Sequence, residues 1–444
     1  MGPQCGACLV QISRRGEVKD VHKTLAATMN SRFLSDDALR TIERASLPPA
    51  VVLGTNITGL AEARPLAAHG IPVIGVDERI RRYTSYSSAW VATIVTQEFN
   101  GAGLIDLLDA LSAECGRRPA LFISTDEQVK VISQFGERLR QRYAFDFPSR
   151  ETVDLLMSKA AFTALAAEKG WPIPATISAQ SRAELDAGMV ELRYPVILKP
   201  RLKNLASRQH AGQKAYRCSD QATLHRAYDD VVRWEPEVVV QEWIPGTDAD
   251  VYYSFHYFAS DMREVATFEG HKIRQWIPEV GSTASSEPVH PPRVTPLSRE
   301  VLTSTQCVGF CSVEYKRDPR TDTFYITEPT VGRVNLQLGT ALANGADLVS
   351  RAYFHVQGLD YPGRERRTYD RKWVYLAADY KSARFYIGRG DLTWRAWLHS
   401  LTGPKSFAVW HLNDPSMWTS AIKDIVQRAP AALVRRVRRI LSSR

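Results

Sequence analysis

The stretch Glu314-Tyr-Lys316-Arg-Asp-Pro-Arg-Thr-Asp-Thr-Phe-Tyr-Ile-Thr-Glu328-Pro-Thr-Val-Gly-Arg333-Val-Asn335 decides how this chain is read. It has the form strand, polar turn, strand. Ser312–Tyr315 and Phe324–Ile326 carry the β-branched and aromatic bias of strands. Between them, Asp318-Pro-Arg-Thr-Asp322 is built from turn formers. A hairpin folded there brings Glu314 and Glu328 together. Two bare carboxylates at close range repel, so a cation belongs between them. A hard divalent ion such as Mg2+ suits oxygen ligands. Lys316, Arg333 and Asn335 flank the pair, where they can meet phosphate oxygens. Taken alone, the segment reads equally well as a surface hairpin with its charges in water.

Upstream of it, Val251–Phe258 and Glu264–Phe268 have the pattern of a paired sheet. Lys272 and Arg274 follow on a strand running toward Gly281, and Arg suits a bidentate grip on a substrate carboxylate. A solvated strand face explains them equally well. Val238-Val-Val-Gln241-Glu242 is a strand stopped by Pro245-Gly246, and Tyr194-Pro-Val-Ile-Leu-Lys199-Pro200 is a buried-type strand ending in a lysine. One helix over about 152–169 carries Lys159 and ends at Gly170, before the breaker Trp171-Pro-Ile-Pro174. A domain boundary falls near 147–152.

The region 49–150 repeats strand, turn, helix. Ala50–Leu53, the turn Gly54-Thr-Asn-Ile-Thr-Gly59, a helix to Ala68 and the strand Ile71–Asp77 make a βαβ unit. A helix over 102–114 and the strand Ala120–Ser124 continue it. There is no GxGxxG, which leaves a dinucleotide site weakly supported. Asp126 stands after a strand end as a ligand candidate or a helix cap. Residues 1–48 read as a polar lead-in, 340–359 as a helix and its exit, and 363–444 as a Trp- and Arg-rich C-terminal region.

Lys159, Lys199, Gln241-Glu242 and Glu314/Glu328 thus come in a set order. Lysines neutralise phosphates as point charges, and paired carboxylates hold the metal on those phosphates. No GxxxxGK[ST] occurs, which excludes a P-loop. Over roughly 50–350 the chain resembles the ATP-grasp superfamily. Within it, the chain is similar to predicted ATP-dependent carboxylate–amine ligases related to D-aspartate ligase and the carbamoyl-phosphate synthase large chain. Ser158-Lys159-Ala-Ala-Phe162, Tyr194–Pro200, Val240-Gln241-Glu242-Trp-Ile-Pro-Gly246, Glu314 and Glu328 carry the resemblance.

The resemblance implies an α/β chain with a doubly wound pre-ATP-grasp domain at 49–150, an α+β ATP-grasp domain at 151–362 and a basic C-terminal extension. It implies ATP and Mg2+ as cofactors, with Mn2+ as a substitute ion. Lys159 and Lys199 would contact phosphates, Gln241 and Glu242 would line the adenine pocket, and Glu314 and Glu328 would bind the metal. Lys272, Arg274 and Arg333 are the implied substrate and acyl-phosphate contacts. The implied reaction activates a carboxylate as an acyl phosphate and joins it to an amine, of the amino acid or amino sugar class. One departure stands out. The family's Glu-x-Asn-x-Arg is here Glu328-Pro-Thr330, with Arg333 and Asn335 further on. Asn335 is the expected third metal ligand. A nucleotide-binding regulator or scaffold that does not ligate is the alternative.

Composition is that of an ordinary globular protein: 444 residues, 44% hydrophobic, 24% charged. A net charge of +9, from 57 basic and 48 acidic residues, favours anionic ligands or surfaces. The basic residues are spread and no nucleic-acid module is present, so nucleic acid is not an expected partner. Six cysteines, without a second pair at zinc spacing to match Cys5-x-x-Cys8, read as reduced. No apolar run approaches a membrane span, and no signal-peptide or myristoylation pattern is seen. A cytoplasmic enzyme is expected, and a homodimer is compatible with the sequence, which does not itself set the oligomeric state. The tail 428–444 sets six arginines around the apolar positions Leu433, Val434, Val437, Ile440 and Leu441. That pattern suits an interfacial helix at the anionic inner face of a membrane, or a helix packed on the protein.

Overall fold

The computed structural model describes residues 8–12, 18–22, 32–81, 83–200, 216–364, 366–411, 414, 416, 417 and 419. The tail 428–444 and the polar stretch 201–214 lie outside them. The described residues fall into two compact units. One comprises those up to Phe145, with 356–359 and those from Phe407 on; the other is Asp146–His355 with Asp360–Ser406.

The first unit runs β1 (Cys8–Ile12), β2 (Val18–His22), α1 (Asp36–Arg44), β3 (Ala50–Leu53), α2 (Ile57–Ala68), β4 (Val73–Asp77), β5 (Ala92–Val95), α3 (Ala102–Glu114), β6 (Ala120–Ile123) and α4 (Asp126–Arg140). Its sheet has the order β2-β1-β5-β4-β3-β6. Strands β3 to β6 are parallel, and the β1–β2 hairpin adds antiparallel at β5. Every residue of the four parallel strands is buried, which is why they read as continuous apolar runs. Asn56 caps α2, its Oδ1 accepting from the Thr58 and Gly59 amides. A Cβ on Gly59 would lie 1.8 Å from the Gly54 carbonyl oxygen, so only glycine lets helix and strand approach this closely. The hairpin within 1–48 was not foreseen. Its strands are five residues long and mix charge with apolar side chains, which leaves little alternation to see.

In the second unit, α5 (Arg150–Met157) and α6 (Lys159–Lys169) lead into β7 (Thr176–Ala179), α7 (Arg182–Gly188), β8 (Val196–Pro200), β9 (Tyr216–Cys218), α8 (Gln221–Val231) and β10 (Val238–Glu242). The single helix expected over 152–169 is two. Ser158 has extended backbone, ends α5, and accepts at Oγ from the Ala161 amide to cap α6. Lys159 is therefore the first residue of a helix. The strands form an antiparallel sheet, β7-β10-β8-β9. One face, with Val196, Leu198, Val238 and Val240, packs on Leu185 of α7 and Leu224 and Tyr228 of α8.

A larger, seven-stranded sheet follows from β11 (Val251–Phe258), β12 (Glu264–Trp276), β13 (Ser282–Pro288), β14 (Gly309–Asp318), β15 (Thr323–Val331), β16 (Lys372–Val374) and β17 (Lys405–Phe407), in the order β15-β14-β11-β12-β13-β16-β17. Helices α9 (Thr295–Ser304), α10 (Leu338–Ala343), α11 (Leu348–Val356), α12 (Leu376–Arg389) and α13 (Trp394–Ser400) complete it. Residues 340–359 likewise divide into two helices, at Asn344-Gly345, where Gly345 has φ +79. The Trp-rich region drawn from sequence as 363–444 is divided here: β16 pairs with β13 at Ser285–Ser286, and 360–406 belong to the second unit.

Candidate active site

The expected hairpin is β14 and β15. Glu314 stands directly across from Glu328, with a bulge between Glu314 and Tyr315. The bulge re-aims the strand next to the pair, as bulges at sites do. Glu314 is about a quarter exposed, whereas Glu328 is exposed. The cation beside Glu314 is Lys272, its Nζ 2.8 Å from Oε2. Register explains the meeting. Glu314 pairs with Tyr253 on β11, Tyr253 pairs with Gly270 on β12, and Lys272 shares Gly270's face two residues on. Lys272 is 2% exposed and also donates to Gln275 Oε1 at 2.9 Å.

Behind Lys272 lies a buried polar chain. Asp248 accepts from the Gln275 amide and Nε2, both at 2.9 Å, and from the Tyr386 hydroxyl at 2.8 Å. Burial and the neighbouring Asp248 carboxylate push the Tyr386 phenol well up, so it stays a donor. Lys316 donates to the Thr247 carbonyl, and burial lowers its pKa against the pull of Asp250 and Asp248. Nothing in the sequence marked Asp248, Gln275 or Tyr386. The hint was Asp248 two residues past the Pro245-Gly246 stop, a position that turn chemistry explains by itself.

Asn335 folds back onto the hairpin. Its Nδ2 donates to Ser312 Oγ at 2.9 Å and to Thr330 Oγ1 at 3.3 Å, and its Oδ1 accepts from Arg333 Nη1 at 2.7 Å. The amide that the sequence lacks at 330 thus arrives beside Thr330 from five residues on.

Arg274 is a correction. It was expected to face substrate, but its side chain is 7% exposed and grips Asp379 of α12 through Nε at 2.8 Å and Nη2 at 3.0 Å. Asp379, fully buried, also accepts from Ser285 and from Trp397 Nε1. The planar fork is spent within the fold.

On the smaller sheet, Lys199 pairs with Val239, so Gln241 shares its face, opposite the helix-covered core. Lys199 Nζ donates to Gln241 Oε1 at 2.8 Å. Lys159 Nζ lies 3.4 Å from the Pro200 carbonyl oxygen, at the end of the same strand. Lys159, Lys199 and Gln241 are therefore brought together. Glu242 points elsewhere: its Oε1 accepts from the Arg193 amide at 2.9 Å.

Among the described residues no group of three or more His, Cys, Asp or Glu is arranged to hold a metal ion. The Glu314–Glu328 pair, with the Asn335 amide oxygen near by, is a hard but incomplete oxygen set. Mg2+ is commonly held that way, by one or two carboxylates with substrate phosphates completing the shell. Lys272 already supplies a positive charge at Glu314, and the donor set fits such an ion.

No family model and no curated protein matches the sequence. Solved structures do match the fold. N5-carboxyaminoimidazole synthetase from Staphylococcus aureus, solved with ADP, aligns at TM-score 0.55 and 14% identity, over 71% of this chain and 79% of that one. Biotin carboxylase from Campylobacter jejuni, solved as a beta-gamma-ATP complex, aligns at 0.53 and 16%, over 72% and 74%. The biotin carboxylase domain dimer of the Hydrogenobacter thermophilus 2-oxoglutarate carboxylase, solved with MgADP, ADP and bicarbonate, aligns at 0.52 and 14%, over 72% and 73%. With these neighbours, and two antiparallel sheets bearing lysines on one and paired carboxylates on the other, the chain has the ATP-grasp fold.

Proposed function

We propose that the protein is an ATP-dependent carboxylate–amine ligase, which activates a carboxylate as an acyl phosphate and passes it to an amine. The observation that carries this reading is the Glu314–Glu328 cross-strand pair, in a fold shared with structures solved with ADP. MgATP would supply the phosphoryl group and the charge that draws the acid and the γ-phosphate together. Glu314 and Glu328 hold the metal in this reading, with Asn335 lending its second oxygen lone pair. Lys159 and Lys199 neutralise phosphates, Gln241 holds Lys199 in register, and the backbone at Gln241–Glu242 lines the adenine edge. Arg333 meets the acid. Lys272, which sits against Glu314, would place its charge beside the transferring group. Arg274 acts as a positioning residue through Asp379. Position and charge, rather than a covalent intermediate on the protein, then lower the barrier.

The acid and amine are proposed at class level: a small carboxylic acid, bicarbonate included, and an amino acid or amino sugar. The test is ADP and phosphate release from MgATP over a matrix of such acids and amines. Release that needs one acid and one amine together is the expected result. Tight nucleotide binding with no dependent release anywhere in the matrix would instead favour the regulator reading, to which Thr330 in place of asparagine lends support.

A further inference from the structure

Eleven large apolar side chains are exposed among the described residues, and seven of them lie on α12, on α13 or at Trp276-Ile277. Helix α12 has two unlike faces. Its inner face is fixed by Asp379, clamped by Arg274 and Trp397, and by Tyr386 on Asp248. The outer face, which cannot turn inward while those bonds hold, shows Tyr380 and Phe385 at 42% and 46% exposure. Trp394 and Leu398 of α13 continue it at 47% and 59%. Tyr380 touches both Trp394 and Trp397, with centroids 6.2 and 5.8 Å apart. Lys381 sits over Trp276 and Arg384 over Tyr380. Among the described residues Lys381, Arg384 and Arg395 make no ion pair, and the acids of 376–400 are spent: Asp379 is buried and Asp391 is bound to Arg389. An open depression beside α13 is lined by Thr393, Arg395, Leu398 and His399.

We propose that this face docks the protein onto an anionic lipid surface. A contiguous aromatic and aliphatic patch of this kind marks an interaction site. Tryptophan and tyrosine among Arg and Lys without ion-pair partners, the exposed carboxylate Asp391 being neutralised by Arg389, is the composition that sits at lipid headgroups. Aromatic rings enter the headgroup boundary while Lys381, Arg384 and Arg395 meet lipid phosphates, and the depression at Arg395 and His399 receives a headgroup. Charge argues against other occupants. The tail 428–444 carries six arginines and no acid, so this basic face repels it. A second copy laid face to face would oppose like charges as well.

The test is sedimentation of the full chain with vesicles of phosphatidylcholine alone, and of equal parts phosphatidylcholine and phosphatidylglycerol. The chain is expected to sediment with the anionic vesicles only, less so at high salt. The variant Lys381→Glu/Arg384→Glu/Arg395→Glu is expected to lose at least about a hundredfold in vesicle affinity, since each basic residue near such a surface contributes about a factor of five. Should that variant fail to fold, Phe385→Ser/Trp394→Ser keeps the charges and is expected to bind weakly too. Intact binding by a folded charge-reversed or apolar-to-serine variant would overturn the proposal and move the binding to the tail. No anionic-vesicle binding by the unaltered chain would also overturn it, as would an oligomer that Phe385→Ser/Trp394→Ser dissociates without any dependence on lipid.

Discussion

Glu314 and Glu328 differ in exposure although they face each other, and that difference has consequences for substitution. Glu314→Gln keeps hydrogen bonding to Lys272 but leaves that buried lysine without its counter-charge, so a loss of stability is expected along with a loss of turnover. Glu328 is exposed, and Glu328→Gln is expected to fold as the parent does while nucleotide turnover falls about 100- to 1000-fold, the scale of removing one charge-stabilising group. Steady-state phosphate release beside a urea melt separates the two effects; equal stability and equal turnover for both variants would contradict the assignment. Arg274→Ala is expected to cost about 3–5 kcal/mol, because Asp379 is left buried and unpaired, and Arg274→Lys should recover little of it, since lysine cannot span both carboxylate oxygens. Here the sequence was legible only in part. Lys199, Gln241 and Lys159 were grouped by their order and do lie together, but Arg274 and Lys272 look alike on a strand, and only the fold shows that one is clamped by a helix a hundred residues on.

At the scale of elements, β11 and β12 hold a buried polar triple that no catalytic reading uses. Ser254 Oγ lies 2.8 Å from His256 Nε2, and His256 Nδ1 lies 2.6 Å from Glu264 Oε1. Ser254 and His256 are fully buried, so no substrate reaches them, and the three act as a pin between strands. Burial holds the His256 imidazole below its ordinary pKa despite Glu264, so it stays neutral, donating from Nδ1 to the carboxylate and accepting from Ser254 at Nε2. Burial works against ionisation of Glu264, yet hydrogen bonds from His256 and Arg299 keep its carboxyl below the usual range. The unfolded chain takes up a proton on this histidine near pH 6.5 and the folded chain does not, so stability falls as pH drops through that region. The Glu264 contribution, present above its unfolded value near 4.5, is lost in turn at lower pH. Melting temperature against pH should therefore decline from about pH 7 downward, and His256→Gln should flatten the decline between about pH 7 and 5; an unchanged slope would contradict the neutral-histidine assignment. Elements of this kind were legible as strands from their aromatic and β-branched runs. The break at Ser158 was not, because serine mid-helix and serine at a cap differ only in the backbone that the neighbouring turn permits.

For the whole molecule, the second unit needs its late residues. Trp373 of β16 is 2% exposed, and α12 supplies Asp379, the carboxylate partner of Arg274. A chain ended at residue 362, where composition alone draws the line, is expected to lose cooperative unfolding by circular dichroism, and a soluble fragment melting like the parent would show the boundary to be right after all. β16 is three residues long and the Trp and Arg content around it masks its pairing, so the sequence alone did not show that 360–406 group with the second unit. The overall order of parts was legible because Lys199 and Gln241-Glu242 end their strands with breakers close behind, and Glu314 and Glu328 flank a run of turn formers. The central claim, that these parts together seat MgATP, is tested most directly by the melting temperature of the chain with and without saturating MgATP, read on the parent and on Lys199→Ala. A ligand at a hundredfold its Kd adds about 2.7 kcal/mol, and a rise of about 5 °C or more is predicted for the parent, smaller without Mg2+ and largely absent in Lys199→Ala. No rise in the parent, or an undiminished rise in Lys199→Ala, would contradict the account.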